Sequence, residues 1–319
     1  MNFPDYEYFV YLRYKHTFIK YSLPFLLSLA TQLLFAQERT PAIAKVHYEF
    51  KHVNDSTQRD QFIRDETVVY LNQQASYYTS YSSKRMQDEV KKQMEGPSFD
   101  GTLNITTRST PSSSSYLLDA NQNKMTEVVS VASDNFAIPQ AYPTQDWEIL
   151  GDRKEIGGYN CQNAKTTFKG RTYIAWFTTE LPFSYGPWKL HGLPGLILDV
   201  RDTKNEVIFA YAGFDKIEDG KTSVALPQNA IVSTAEEVKK VQEAFKANPQ
   251  AYMQAQSGKN RTISVGSSGS MVAVRSSSGS GGGSPAGALD PSKIKSFNIS
   301  RDDKYKPSKV TNNPIELTP

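Results

Sequence analysis

The stretch Trp188–Val200, WKLHGLPGLILDV, is the most specific feature of the sequence and decides the fold prediction. Pro194 pre-sets its own φ for position i+1 of a type II turn, and Gly195 can supply the positive φ of position i+2. We therefore predict a tight turn over Leu193–Leu196. The turn leads directly into Leu196-Ile197-Leu198, a short apolar run typical of a buried strand.

The chain upstream of this turn is stiff as well. Prolines occur in Glu180-Leu181-Pro182 and in Gly186-Pro187-Trp188, and each proline fixes one backbone dihedral. Residues 179–195 are therefore predicted to form a rigid, extended linker that can wrap across the end of a sheet. The predicted structural motif comprises Gly186, Pro187, Trp188, Gly192, Leu193, Pro194, Gly195, Leu196 and Ile197.

The stretch Tyr173–Phe177, YIAWF, lies before the linker and carries large apolar side chains on both faces of a strand. Tyr173 and Phe177 share one face, whereas Ile174 and Trp176 share the other. A strand of this kind is buried on both sides or lines a cavity.

Arg171 lies between Gly170 and this strand and leaves two interpretations open. Its guanidinium can contact an anionic group of a partner, or it can form a salt bridge with an acid such as Glu180 or Asp199. The predicted contacts with a ligand or partner are Arg171, Tyr173, Trp176, Phe177 and Leu198.

Short β-branched or aromatic runs, separated by Asn, Asp, Gly or Pro, make up most of the remaining chain. Consecutive short strands without helices between them indicate an antiparallel sheet. The predicted strands are Ile43–Lys51, Thr67–Leu71, Ala75–Tyr81, Tyr116–Asp119, Lys124–Val131, Lys165–Lys169, Tyr173–Thr178, Leu196–Arg201 and Val207–Asp215. The predicted fold class is mainly β, of the α+β type, with a curved antiparallel sheet or half-barrel, two peripheral helices and two disordered Ser/Gly-rich loops.

Two helical regions are predicted beside the sheet. One begins at Thr234, which can form a reciprocal capping box with Glu237. Asn248-Pro249 interrupts this helix and can begin a second short helix that reaches about Gln256. The other helix, Lys84–Met94, has a row of apolar side chains at helical spacing, typical of a core face. This row is Met86, Val90 and Met94.

Two stretches, residues 96–115 and 264–288, are dominated by Ser, Thr, Gly and Pro. Such segments cannot bury enough apolar area to offset chain entropy, so we predict two flexible insertions. Apolar residues return after the second insertion. The prediction is therefore one domain over residues 37–319.

The N-terminus has the pattern of a secretory signal peptide, with basic residues before an apolar stretch that ends near Ala36. The apolar stretch is too short for a bilayer span, which needs about 20 apolar residues. We predict cleavage after Ala36, export to the periplasm, outer membrane or medium, and no integral membrane segment in the mature chain. The segment is residues 1–36, with Arg13, Lys15 and Lys20 before Tyr21–Phe35.

Composition excludes several classes of protein. The chain of 319 residues has one cysteine, which excludes a disulfide framework and a cysteine-built metal site. With 36 Lys and Arg against 33 Asp and Glu, it is not a strongly basic nucleic-acid binder. No phosphate loop, dinucleotide fingerprint or nucleophile elbow occurs, so no cofactor is predicted.

A catalytic arrangement of Cys161 and His191 can be written, with Asp199 or Asp202 as the third member. No helix N-terminus or basic cluster flanks Cys161, so nothing in the sequence lowers its pKa. The sequence therefore predicts no catalytic residue, and the spacing of the histidines predicts no metal site.

The central block resembles the GLPGLI family, which is named for the residues GLPGLI at Gly192–Ile197. Cys161–Ala164, Phe168–Arg171 and Ala175–Thr178 resemble the same block, and Asn313–Leu317 resembles the family's C-terminal motif. The resemblance implies a secreted or envelope protein of a Gram-negative bacterium, without an established activity or catalytic residues.

Three functions follow as expectations. The first is a non-catalytic envelope protein that binds a hydrophobic ligand or partner segment, of unknown identity, on a curved sheet. The second is a structural or interaction protein that docks to an outer-membrane system through residues 179–195. The third is a hydrolase that uses Cys161 and His191. The first of these expectations ranks highest, so the sequence predicts a protein that is not an enzyme.

Overall fold

A large curved sheet, open and not closed into a barrel, dominates the computed structural model. The structure describes residues 40–107, 109–256, 294–301, 305 and 307–318. Within them, strands outnumber helices by a wide margin, which confirms the predicted fold class. The strands are β1 Thr40–Pro41, β2 Ala44–His52, β3 Ile63–Leu71, β4 Ala75–Ser80, β5 Thr102–Thr107, β6 Ser114–Asp119, β7 Lys124–Val131, β8 Asp134–Ala141, β9 Glu148–Ile156, β10 Tyr159–Phe168, β11 Arg171–Thr178, β12 Leu196–Asp202, β13 Val207–Lys216, β14 Ser223–Val224, β15 Ala230–Val232 and β16 Ser296–Arg301.

Twelve strands form the main sheet, in the order β15-β8-β7-β6-β4-β3-β2-β13-β12-β11-β10-β9. All neighbours in it are antiparallel except β15 and β8, which are parallel. Two small pairs, β1 with β14 and β5 with β16, lie outside the main sheet. Because most neighbours are consecutive in the chain, hairpins build the sheet from both ends and β2 with β13 joins the halves.

Three helices accompany the sheet in the described residues: α1 Ser82–Glu95, α2 Ala235–Ala247 and α3 Pro249–Gln256. The predicted capping box is present at α2, where Thr234 Oγ1 accepts from Glu237 N and Glu237 Oε2 accepts from Thr234 N. The α1 row packs on Leu103 and Ile105 of β5, which confirms that it is a core face.

Two apolar clusters cover the inner face of the sheet, which we define as the face that carries Tyr173 and Tyr116. The larger cluster includes the fully buried Tyr48, Phe177 and Phe209. The smaller one lies between α2 and the strands β7 and β8. It comprises Val129, Val131, Phe136, Ile138 and Val238.

The linker 179–195 packs against the larger cluster, with Trp188, Leu190 and Leu193 buried. The type II turn prediction is wrong, because the positive φ values of this segment lie at Trp188 (59°) and Gly192 (93°), and not at Gly195. Gly195 is needed for a different reason. A Cβ atom at this position would lie 2.1 Å from the Thr178 carbonyl oxygen, so the two chain segments approach too closely for any side chain.

The region 96–115 differs from the flexible insertion that we predicted. Residues 102–107 form β5, and Leu103 and Ile105 are buried under α1. Low-complexity composition hid this strand because its pairing partner, β16, is a distant segment of the chain and its two apolar side chains are covered by α1. The predicted insertion 264–288 and the predicted signal peptide 1–36 lie outside the described residues.

Replacement of Gly195 by Ala should destabilise the protein by about 1 kcal/mol or more, because the new methyl group collides with the Thr178 backbone. The matched control is Gly151→Ala, since a Cβ atom at Gly151 would meet nothing within 4 Å. Thermal denaturation of both variants checks this expectation. Equal melting temperatures for the two variants would contradict the steric explanation.

Candidate functional site

The predicted contact residues on β11 and β12 lie on two faces of the sheet. Tyr173, Phe177 and Leu198 are buried in the larger cluster, with at most 2% of each residue exposed. Trp176 is half-buried and points to the opposite face. A ligand or partner contact by these residues stays a prediction.

Arg171 is buried and forms salt bridges, which was one of the two interpretations of the sequence, but its partners differ from those expected. Nη1 donates to Asp202 at 2.8 Å and to Glu206 at 3.0 Å, instead of Glu180 or Asp199. Hydrogen bonds from Arg59, Arg171 and Asn313 outweigh the effect of burial and lower the pKa of Glu206 to about 2.

The remaining donors of Arg171 hold the C-terminal segment. Nη2 donates to Asn313 Oδ1 and to the Pro314 carbonyl, both at 2.7 Å, and Nε donates to the Ile315 carbonyl at 2.9 Å. All five guanidinium N–H groups are thereby used. The segment is thus fixed against the sheet, and the next side chain, Glu316, is brought to the inner face.

Glu316 pairs there with a lysine from the linker. Lys189 Nζ lies 2.5 Å from Glu316 Oε1, and its side chain is only 10% exposed. The same ammonium lies 4.9 Å from the ring centroid of Tyr116 and 5.7 Å from that of Trp188, in cation–π geometry. The linker and the C-terminus therefore meet over β6.

A carboxylate from β7 completes this group of polar side chains. Glu127 is directly paired with Tyr116, so both side chains lie on the same face. Tyr116 Oη donates to Glu127 Oε1 at 3.4 Å, and Gln140 Nε2 donates to Glu127 Oε2 at 3.5 Å. We call Tyr116, Glu127, Gln140, Lys189 and Glu316 the inner-face polar cluster.

The inner-face polar cluster lies between the two apolar clusters. Tyr116 belongs to the larger one, whereas Ile138, paired with Glu127, belongs to the smaller one. Burial raises the pKa of Tyr116, and the charges of Glu127 and Glu316 raise it further. Tyr116 therefore stays a neutral hydroxyl between two carboxylates. Both hydrogen bonds to Glu127 are long, at 3.4 and 3.5 Å, so its carboxylate can accept a further hydrogen bond.

Tyr173 contributes a second hydroxyl near the cluster. Its Oη is buried and has no hydrogen-bond partner among the described residues. Burial raises the pKa of Tyr173; the charge of Arg171 opposes this effect, and the charges of Asp202 and Glu316 add to it. A buried hydroxyl of this kind costs free energy unless a water or ligand pairs with it.

The arrangement of Cys161 and His191 shows no catalytic pairing. Cys161 Sγ contacts the Tyr159 carbonyl, and burial raises the pKa of the thiol. His191 Nε2 donates to the Pro143 carbonyl at 2.7 Å, and burial lowers its pKa. Each side chain is thus bound by backbone, which makes the thiol a poor nucleophile.

Sequence reasoning missed Glu127, Gln140 and Glu316, because only the strand register of β7 and β8 and the path of the C-terminal segment place them on one face. A weak signal existed in Lys124–Val131, where Glu127 interrupts an apolar pattern on the core-facing side. Among the described residues, no group of three or more His, Cys, Asp or Glu side chains could hold a metal ion. No helix in the described part is long and apolar enough to cross a membrane.

The sequence profile of the family described as "N-glycanase peptide, N-terminal domain" matches residues 46–238, which is more than half of the chain. The chain belongs to this family. The matched range of this N-glycanase N-terminal domain contains Tyr116, Glu127, Gln140 and Lys189. No curated protein matches the chain.

Solved structures are similar to this chain at low identity. Two crystal forms of PNGF-II match with 15% and 14% identity and TM-scores of 0.41 and 0.42. Each match covers 62% of this chain and 32% of PNGF-II, so the chain spans about a third of that protein. An uncharacterized conserved protein from Thermus thermophilus matches with 8% identity and a TM-score of 0.30, over 60% of this chain and 91% of the other.

The family match overturns three expectations. The resemblance to the GLPGLI family is wrong, because the profile that matches is that of the N-glycanase N-terminal domain. The expected function, a non-catalytic envelope protein that binds a ligand or docks to a partner, is wrong because of the same match. The expectation that the chain is not an enzyme is wrong for the same reason. Export of the chain is consistent with the match.

Replacement of Arg171 by Met should destabilise the protein by about 3–5 kcal/mol, because Asp202 would stay buried without a cation and Glu206 would keep only the half-exposed Arg59. The control is Arg59→Met, which removes a half-exposed partner of the same Glu206 and should cost about 1 kcal/mol or less. Urea denaturation at pH 7 measures both. Similar losses in the two variants would contradict the dominance of Arg171.

The same cluster predicts the acid behaviour of the protein. The folded-state pKa of Glu206 lies near 2, below its ordinary value of 4.5, so its stabilisation is complete above pH 4.5 and is lost as the pH falls toward 2. In Glu206→Gln, the loss of stability over this range should be smaller than in the wild type. Denaturation at pH 2, 3, 4 and 6 compares the two, and parallel curves would contradict the assignment.

Proposed function

We propose that the chain is an N-glycanase-like protein that acts on asparagine-linked glycans and holds the carbohydrate at the inner-face polar cluster. The observation that carries this proposal is the family match over residues 46–238, which contains four of the five members of the cluster. The four are Tyr116, Glu127, Gln140 and Lys189.

The chemistry of the cluster suits a sugar. Carbohydrates present several hydroxyl groups that donate and accept hydrogen bonds, and they are bound by a few fixed polar groups on an apolar wall. Glu127 supplies an acceptor, and the Gln140 amide supplies both a donor and an acceptor. The Tyr116 ring, held beneath the ammonium of Lys189, supplies the apolar wall.

Release of a glycan from asparagine by water forms a bond between the water oxygen and the attacked carbon and breaks the carbon–nitrogen bond of the linkage. A protein group accepts the proton of the attacking water, and this proton passes to the departing nitrogen. Glu127 is the carboxylate proposed for this role, because its two hydrogen bonds are long and its side chain is half-buried instead of sealed in the core. Glu316 is less suited, since it is ion-paired with Lys189 and Lys169.

The predicted export of the chain fits this function, because it would bring the protein to glycoproteins outside the cytoplasm. We propose that it acts in the periplasm, on the outer membrane or in the medium. Cell fractionation measures which of these three fractions contains the protein. The signal segment 1–36 is the part of the chain on which this placement rests.

Replacement of Glu127 by Gln should lower glycan release by about 100-fold or more, because an amide cannot accept the proton. The measurement incubates the purified chain with a denatured N-glycosylated protein and follows the loss of glycan mass by mass spectrometry. Glu155→Gln, on the exposed edge strand β9, is the matched control and should keep the wild-type rate.

Two results would contradict this proposal. An unchanged glycoprotein after incubation with the wild-type chain would exclude release by this chain alone. Release by Glu127→Gln at the wild-type rate would keep the N-glycanase activity and move it away from the inner-face polar cluster.

A further inference from the structure

A row of three side chains crosses the sheet on the face opposite Tyr173. Trp176 of β11 is paired with Asn163 of β10 on one side and with Asp199 of β12 on the other. Directly paired residues carry their side chains on the same face, so the three lie side by side. We call Asn163, Trp176 and Asp199 the Trp176 row. It shares no residue with the inner-face polar cluster.

Both strand ladders that flank the row are interrupted at this point. The β9–β10 register shifts between Gln162 and Ala164, and the β11–β12 register shifts between Trp176 and Phe177. Such bulges bend the strand, re-aim side chains and are over-represented next to functional sites. The two irregularities lie on either side of the regular β10–β11 ladder, and both fall at the row.

The polar members of the row are held in fixed positions. Asn163 Nδ2 donates to Asp152 Oδ2 at 2.9 Å, and Arg201 Nη2 donates to the two carboxylate oxygens of Asp199 at 3.0 and 2.9 Å. Asn163 and Asp199 are 4% and 6% exposed, whereas the Arg201 side chain is 41% exposed. The tryptophan therefore has an amide on one side and a carboxylate–guanidinium pair on the other.

A face of the Trp176 ring is covered by a lysine from the edge strand. Lys154 Nζ lies 4.2 Å from the ring centroid, and Lys154 is an exposed residue of β9. An exposed cation–π contact is worth about 0.5–1 kcal/mol, so a ligand can displace the lysine at small cost. Trp176 is otherwise half-buried and packs against the larger apolar cluster, so the face under Lys154 is the one that a ligand can reach.

We propose that the Trp176 row is a binding site for a pyranose ring of the glycan. The apolar C–H face of the sugar stacks on Trp176 after Lys154 swings aside, and the hydroxyl groups at the sugar edge contact Asp199, Arg201 and Asp152. An aromatic platform with a few fixed polar groups at its rim is the arrangement that binds such a ligand. This inference rests on the proposed function, which supplies a carbohydrate ligand.

Tryptophan fluorescence tests the site, because Trp188 is buried and the comparison with Trp176→Ala separates the signal of Trp176 from that of the half-buried Trp147. N,N′-diacetylchitobiose is the probe, titrated into the whole chain. Saturable quenching with a blue shift is expected for the wild type and should be lost in Trp176→Ala. The matched control is Ile174→Ala, on the same strand and the same face, which should bind like the wild type.

Further variants separate binding from folding. Trp176→Phe keeps an aromatic face and should retain binding within about tenfold, measured by calorimetry because the fluorophore is gone. Lys154→Ala should bind at least as tightly as the wild type, since the displaced contact is already absent. Circular dichroism of Trp176→Ala confirms that the sheet is intact.

Several results would overturn the inference. They are an absent signal in the wild type, undiminished binding in Trp176→Ala by calorimetry, or weaker binding in Lys154→Ala than in the wild type. Loss of the fluorescence change in Glu127→Gln would place the sugar at the inner-face polar cluster and also overturn it. Failure of glycan release with chitobiose binding intact would refute the proposed hydrolysis and leave the Trp176 row standing.

Discussion

The buried guanidinium of Arg171 is the interaction on which the arrangement of the rest of the inner face depends. A single side chain at the start of β11 binds the carboxylates of the β12–β13 turn and the backbone of the C-terminal segment. An unpaired charge buried here would cost several kcal/mol of folding free energy, so Arg171 and its acceptors must be buried together. Asp202 accepts from Arg171 and also from the backbone N–H groups of Glu206 and Val207, which fixes the turn itself.

The hydrogen bonds of Arg171 also position the candidate site, because they fix the C-terminal segment. Once Asn313 and Ile315 are fixed, Glu316 is placed over Lys189, and Lys189 is placed over the Tyr116 ring. The linker reaches the same place because its glycines allow close approach: Gly186 lies against Ile197, and Gly195 lies against Thr178. Two segments far apart in sequence therefore build one wall beside Glu127.

The pleat of β11 divides the chemistry of the sheet between two faces. Tyr173, Ala175 and Phe177 enter the core, whereas Trp176 stands beside Asn163 and Asp199 on the other face. The GLPGLI segment belongs to the first of these environments, since Leu193, Leu196 and Ile197 are almost fully buried. The glycines and prolines of this segment are needed for close packing of the chain. Their pattern therefore did not indicate the family or the function.

The sequence by itself determined the local features of this protein. Alternation and turn residues predicted most strands, the spacing of Met86, Val90 and Met94 predicted a core-facing helix, and Thr234 with Glu237 predicted a capping box; all three are observed. These features depend on neighbours within a few residues, which is the range over which backbone geometry and side-chain spacing act. Tertiary structure alone decided the partners of Arg171, the meeting of Lys189 with Tyr116 and Glu316, and the row around Trp176. Strand register and the path of the C-terminal segment bring these residues together, and Arg171 and Asn313 meet across 142 positions. A shift of one residue would send each side chain to the other face. Because register is set by the packing of the whole sheet, no local pattern in the sequence specifies it.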